Sequence, residues 1–375
     1  MKLRPKITLI DHLEKLSDPR VERTKDHKLI DILTIAVCAM ICGADNWVAM
    51  ETYGNSKYKW LKQFLELKNG IPSHDTFGRV FARLDPTEFE QCFLEWVKTI
   101  TQLLPGNIVS LDGKTARHST NSQADKKAIH LVNAWASEQK LVLAQQKVDE
   151  HTNEITTIPQ LIKLLELKGC LVTIDAIGTQ TEIAQLIQAK EADYCLALKG
   201  NQKHLHTEVQ QLFSLCENQR WQGIEHSFHQ TIEKDHGRIE TRRYWTLNSN
   251  ELLQNTDKWI GLQSLGIVES VRRIGDKTTT SVRYYLNSFK SDATRLAEAV
   301  RTHWEIENSL HWVLDVAFNE DDCPVYKDHA PENLARLRQM ALNFLSQEKT
   351  AKIGVANKRL KAAWDDDYLA KVLGI

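Results

Sequence analysis

Three carboxylates stand out for where they fall in the sequence. Asp112 closes the apolar run of "NIVSLDGK" and Asp175 closes that of "CLVTIDAIG". Glu307 lies in "RTHWEIENSLHWVLDVAFNEDD", threaded among Trp304, Trp312, His303, His311 and further acids. A carboxylate where a strand leaves a helix-covered sheet stands where ligand sites gather. The small residues that follow, Gly113 after Asp112 and Ala176 and Gly178 after Asp175, leave room for a ligand near the backbone. Asp at a strand end also starts turns and caps helices, so either aspartate alone has a plain structural explanation. A third acid on a late helix shifts the balance. Three converging carboxylates repel one another. Two hard divalent cations relieve that repulsion, and oxygen ligands with open water positions suit Mg2+. Paired metals in turn suit in-line displacement at phosphorus.

The elements that must position these acids follow from periodicity and punctuation. In the helix of Glu307, the residues Ile306, Leu310, Val313 and Ala317 recur at four- and three-residue steps and form a core stripe. Trp304, Glu307, His311 and Leu314 share the adjoining face, so Trp304 is expected to be buried and to set how deep Glu307 reaches. Residues 1–104 read as an all-helical module, with Ser73 and Asp85 as N-caps, Pro86 at a first helical position and Pro105-Gly106 as its end. Residues 107–203 follow the order β-β-β-α-β-α-β, which implies a mixed sheet covered by helices. Asp112 falls at the end of its first strand and Asp175 at the end of its fourth. Residues 204–290 look like a β-rich insertion, 291–347 return to the core with the helix of Glu307, and 348–375 form a basic tail.

The totals exclude some classes. No run of apolar residues is long enough to span a membrane, and the charged N-terminus is unlike a signal peptide, so the chain reads as cytoplasmic. The seven Cys show no C-x-x-C pair, which points to reduced thiols and away from zinc. Net charge is −1, yet basic residues cluster. Residues 1–28 hold eight Lys/Arg against five acids, 234–243 hold four against two, and 349–364 hold five against none. Charge sorted into patches in a near-neutral chain is compatible with nucleic acid.

The stretches "GIPSHDTFGRVFARLDP", "SLDGKTARHS", "NEITTIPQL", "VTIDAIGTQ", "DYCLALKGNQ", "HGRIETR", "RYYLNS", "VRTHWEIENSLHWVLDVAFNED" and "ENLARLRQMALN" resemble, in this order, the DDE transposases of bacterial insertion sequences, specifically the ISAs-type group of H-repeat-associated proteins. The resemblance spans nearly the whole chain. It implies an RNase H-like α/β core whose catalytic, metal-binding acids are Asp112, Asp175 and Glu307. It also implies two Mg2+ ions (Mn2+ as a substitute), double-stranded DNA as partner and work as a homodimer near the nucleoid. Lys114 and Arg117, just past the first acid, and Arg238, Arg242 and Arg243 in the insertion are the candidate DNA contacts; His303, Trp304 and His311 support Glu307. Where better-studied relatives place a Tyr, an Arg and a Lys around the Glu, this chain has Val300, His303 and Leu314. Two other readings stay open: a non-catalytic DNA-binding relic, and an RNase H-fold nuclease with another substrate.

Overall fold

A computed structural model describes residues 9–120, 128–149, 151–235, 237–249 and 256–375. The described residues begin with six α-helices: α1 (Leu9–Leu13), α2 (Leu29–Ile41), α3 (Trp47–Ser56), α4 (Tyr58–Leu61), α5 (His74–Arg83) and α6 (Pro86–Ile100). The apolar run of α2 is buried nearly all round, as its composition requires. Asp85 caps α6 by accepting from the amides of Thr87 and Glu88, with Pro86 in the first turn; Ser73 stands at the α5 N-cap without a side-chain bond to the helix.

The core follows as β1 (Ile108–Thr115), β2 (His130–Ala136), β3 (Leu141–Lys147), α7 (Glu154–Leu164), β4 (Leu171–Ile174), α8 (Thr181–Ala189) and β5 (Asp193–Leu198). Next come α9 (Lys203–Asn218) and four long strands, β6 (Ser227–Asp235), β7 (Arg238–Asn248), β8 (Ser264–Ile274) and β9 (Lys277–Asn287). Helix α10 (Ala293–Ile306) runs through a π-helical turn, Glu307–His311, into α11 (Trp312–Phe318). The chain ends with α12 (Ala330–Gln347), α13 (Val355–Trp364) and α14 (Asp366–Leu373).

All nine strands form one sheet, in the order β3-β2-β1-β4-β5-β9-β8-β7-β6. Strands β3, β2 and β1 pair antiparallel, β1, β4 and β5 parallel, and β5 and β9 antiparallel. This is the mixed, RNase H-like arrangement expected for the core. Helices α7 and α8 cover one face; α10 crosses the other, burying Leu296, Ala299 and Val300 against Ile108, Leu171, Tyr244 and Tyr285.

The insertion at residues 204–290 begins with α9, and its strand β9 pairs with β5 from Cys195↔Asn287 to Leu198↔Tyr284, so the insertion extends the core sheet. The C-terminal stretch, expected as a basic tail, folds into α13 and α14, which pack on the preceding helices. Two of its positive residues, Lys358 and Arg359, are buried, because a helix end and a partly buried carboxylate need them, while Lys349, Lys352 and Lys361 stay exposed. Lys358 donates to the carbonyl of Leu345 at 2.8 Å at the end of α12, and buried Arg359 pairs with Asp45 at 2.5 Å and also reaches the carbonyl of Met40. Residues 1–8 of the basic N-terminal stretch lie outside the described residues. Among the described residues no helix is long and apolar enough to cross a membrane, and seven free cysteines are present.

Candidate active site

Strand β1 runs further than its apolar run suggested. It pairs with β2 out to Thr115↔His130, so Asp112 lies within the strand, opposite Asn133, rather than at its end. On the other side the ladder with β4 stops at Leu111↔Ile174. Every pair in that parallel ladder is offset by 63 residues, which is also the separation of Asp112 and Asp175. The two aspartates are therefore the next rung, where the ladder opens, and their side chains share the face that α10 crosses. Asp175 turns one oxygen to the amides of Ile177 (3.0 Å) and Gly178 (3.4 Å), an Asx turn leading to α8.

Glu307 reaches this edge from above. It opens the π turn, a wide turn of a kind frequent at functional sites. Its carboxylate stands 3.3 Å from Nδ1 of His311, which lies 3.7 Å from Asp112. Asp112, Glu307 and His311 each bring one ligand atom into a group whose members lie within 4.8 Å of one another. Asp175 lies beside this group rather than in it.

The electrostatics suit a cation. Burial, opposed by His311 and reinforced by Glu307 and Asp175, pushes the Asp112 carboxyl up to about 7. Burial also raises Asp175, against the amides of Gly178 and Ile177. Glu307 is held below the ordinary range, first by the hydrogen bond with His311. Burial drives the His303 imidazole down to about 4, which keeps it neutral against Thr173 Oγ1 at 3.0 Å, itself bonded to Ser110.

The other sequence candidates fare differently. Lys114 is not free to meet DNA. It is buried, with its ammonium 2.5 Å from Asp315 and 2.7 Å from Glu320, because the alternation of β1 puts it under α11. Arg117 is exposed and only loosely paired with Asp321, at 3.4 Å. Arg238 and Arg242 face α10 across β7, whereas Arg243 points to the opposite face and pairs with Glu269 at 2.6 Å. Trp304, expected to be buried, is 44% exposed. The π turn rotates α10 relative to α11: Leu310, Leu314 and Phe318 continue the buried line of Ile306 in four-residue steps, and Trp304 is carried outwards. Nor does Gly113 make room for a ligand. A side chain there would collide with Glu154, whose carboxylate pairs with His130 at 2.5 Å.

Sequence reasoning missed two cations at the cleft. Lys199 follows β5 at the same sheet edge and lines the cleft together with Asp175 and His303. Arg283 of β9 lines the same cleft. A lysine directly after the fifth strand was the available signal for the first; nothing local marks the second.

Residues 103–344 match the family described as Transposase DDE domain, and residues 10–97 match its DDE_Tnp_1-associated companion. An H repeat-associated protein of Escherichia coli strain K12 named as a transposase, YhhI, is 39% identical over 97% of both chains. YncI of Escherichia coli O157:H7, likewise named as a transposase, is 41% identical over 98% of this chain and 94% of its own. Among solved structures the chain is similar to the piggyBac transposase in a synaptic complex with hairpin DNA, at a TM-score of 0.45 and 11% identity, over 97% of this chain and 78% of that one.

Proposed function

This chain belongs to the DDE-domain transposase family, and from that premise we propose that it cuts and rejoins DNA at the ends of an insertion sequence with Asp112, Asp175 and Glu307 as its catalytic acids. Water attacks the phosphodiester at an element end and frees a 3′-hydroxyl. That hydroxyl then attacks a target phosphodiester, exchanging one P–O bond for another.

The observation that carries the reading is the shared rung: the β1–β4 register sets Asp112 beside Asp175, and the π turn delivers Glu307 to the same edge. The donor set fits hard divalent cations, because the buried Asp112 carboxylate, crowded by the charges of Glu307 and Asp175, is relieved by positive charge. Asp112, Asp175 and Glu307 would hold Mg2+ or Mn2+, with His311 beside them. When bound, such ions activate the attacking oxygen and stabilise the leaving one. His311 stands between Glu307 and Asp112 and favours the ionised form of Glu307. Neutral His303 backs the cleft without adding charge, and Lys199 and Arg283 offer donors to the non-bridging phosphate oxygens. The same reading has the protein act in the cytoplasm, as a homodimer holding both element ends. Retention of all three acids at one edge favours catalysis over the non-catalytic alternative.

The test uses DNA carrying the inverted repeats that flank the gene, with Mg2+ or Mn2+. The wild-type protein should nick at the repeat ends. Asp112→Asn, Asp175→Asn and Glu307→Gln should each keep the fold and lose at least about a hundredfold in rate, the scale of losing one preorganised electrostatic group. A folded Asp112→Asn protein that cuts at the wild-type rate would overturn the assignment.

A further inference from the structure

Beside the acid cleft a wider groove opens between α10 and strands β6 to β9. The two depressions share Arg283, Val300 and Trp304, and Asn308, the residue after Glu307, lines the groove. Five arginines and two glutamates face into it. Glu240, with its side chain only 6% exposed, bonds Arg242 at 2.7 Å and lies 3.5 Å from Arg272 and 3.7 Å from Arg238. Glu233 holds Arg242 at 2.9 Å and Arg301 at 3.4 Å. Two carboxylates cannot neutralise five guanidiniums, so the lining is net positive. Arg242 is held by both carboxylates, Arg238, Arg272 and Arg301 lie within 4 Å of one, and Arg283 lies over Trp304; a guanidinium has five donors, so such partners orient its fork and leave donors over. Oriented forks of this kind match phosphate oxygens.

Trp304 forms the step between cleft and groove. The residue is 44% exposed, and the Arg283 guanidinium lies 4.6 Å from the ring centroid, backing one face. A half-exposed indole backed by a cation is a stacking platform for a flat ring. Paired bases inside a duplex have both faces covered by their neighbours, so only an unstacked base can lie on such a platform.

We propose that this groove takes a single DNA strand leading away from the acid cleft, with its phosphates on the arginines and one unpaired base on Trp304. The proposal rests on the cleavage reading above and names the form of DNA that the site holds. A duplex would meet the arginines alone and gain nothing from the indole.

The experiment measures anisotropy of a fluorescein-labelled oligothymidylate and of a duplex of equal length, in EDTA so that no strand is cut. Trp304→Ala should weaken single-strand binding about tenfold or more, the scale of one stacked base, and change duplex binding by less than about twofold. Trp304→Phe should restore most of the difference, which guards against a folding defect. Arg272→Ala should shallow the log–log salt dependence by about 0.7 for one lost single-strand phosphate contact. Arg243→Ala, on the opposite face, should leave the slope unchanged. A 2-aminopurine placed within the oligonucleotide should be quenched by the wild type and not by Trp304→Ala. Equal binding of the single strand by wild type and Trp304→Ala, or an equal loss for both DNA forms, would overturn the proposal. Asp112→Asn should bind the single strand like the wild type, so failure of the groove and failure of the catalytic acids read out separately.

Discussion

Asp112 gives up its proton near pH 7 in the folded protein, against 3.8 for an ordinary aspartate. The sign of the consequence is the reverse of the familiar salt-bridged carboxylate. Between those two values the folded state holds the proton and the unfolded chain does not. Unfolding therefore becomes easier as pH rises through the window, at about 1.4 kcal/mol for each pH unit, or a few kcal/mol in all. Without divalent cations, the melting temperature should carry a component that falls from pH 5 to pH 8. Asp112→Asn should remove that component and melt higher than the wild type at pH 8, whereas added Mn2+ should raise the wild type there by mass action. Thermal melts in EDTA at the two pH values check this; an unchanged trend in Asp112→Asn contradicts it. Glu307 does not blur the measurement, because its lowered pKa confines its own effect to the acid side of the window. The site is thus less stable empty than an asparagine would leave it, as a metal-binding cluster of like charges should be.

At the scale of elements, the π turn decides most. It is one residue wider than an α turn, so removing one exposed residue from it should regularise the helix while α10 and α11 keep their separate registers. Deletion of Asn308 should leave the melting temperature within a few degrees and abolish cleavage, since a displacement of about 1 Å at a reacting group can cost a hundredfold. Circular dichroism and the nicking assay check it together; full activity in the deletion would show the extra residue to be incidental. The same turn marks the boundary of what is legible in the sequence. Strands β1 to β5 are readable because each is a short apolar run between turn residues, and the two aspartates are readable as the polar residues breaking such runs. The exposure of Trp304 escapes a sequence reading because a 3.6-residue period does not carry through the π turn; the four-residue spacing of Ile306, Leu310, Leu314 and Phe318 is the clue. The burial of Lys114 escapes it because the partners Asp315 and Glu320 come some two hundred residues later. The arginine groove is invisible for a related reason. Its members come from β7, β8, β9 and α10 and meet only through cross-strand register.

On the scale of the whole molecule, α12 ties the parts together. Its polar residues, which composition alone would assign to a solvated face, are buried: Asn343 exchanges two 2.9 Å hydrogen bonds with the backbone of Val142 on edge strand β3, Gln339 reaches Asn133 on β2, and Arg336 meets Glu90 of α6. The helical module is thereby locked to one end of the sheet, and the β6–β9 strands are continuous with the other end through the β5–β9 ladder. A sheet of nine hydrogen-bonded strands is a poor hinge. Dyes at Lys140, beside β3, and at Lys234, on β6, should report the same energy transfer with and without DNA; a shift on binding would reveal a joint that the ladder does not contain. A stiff enzyme leaves the compliance to its substrate. Curving a site of a few turns of duplex costs on the order of 1–6 kcal/mol, with pyrimidine–purine steps yielding most readily. The ends this protein accepts would then be sorted by how easily they deform as well as by the bases they carry.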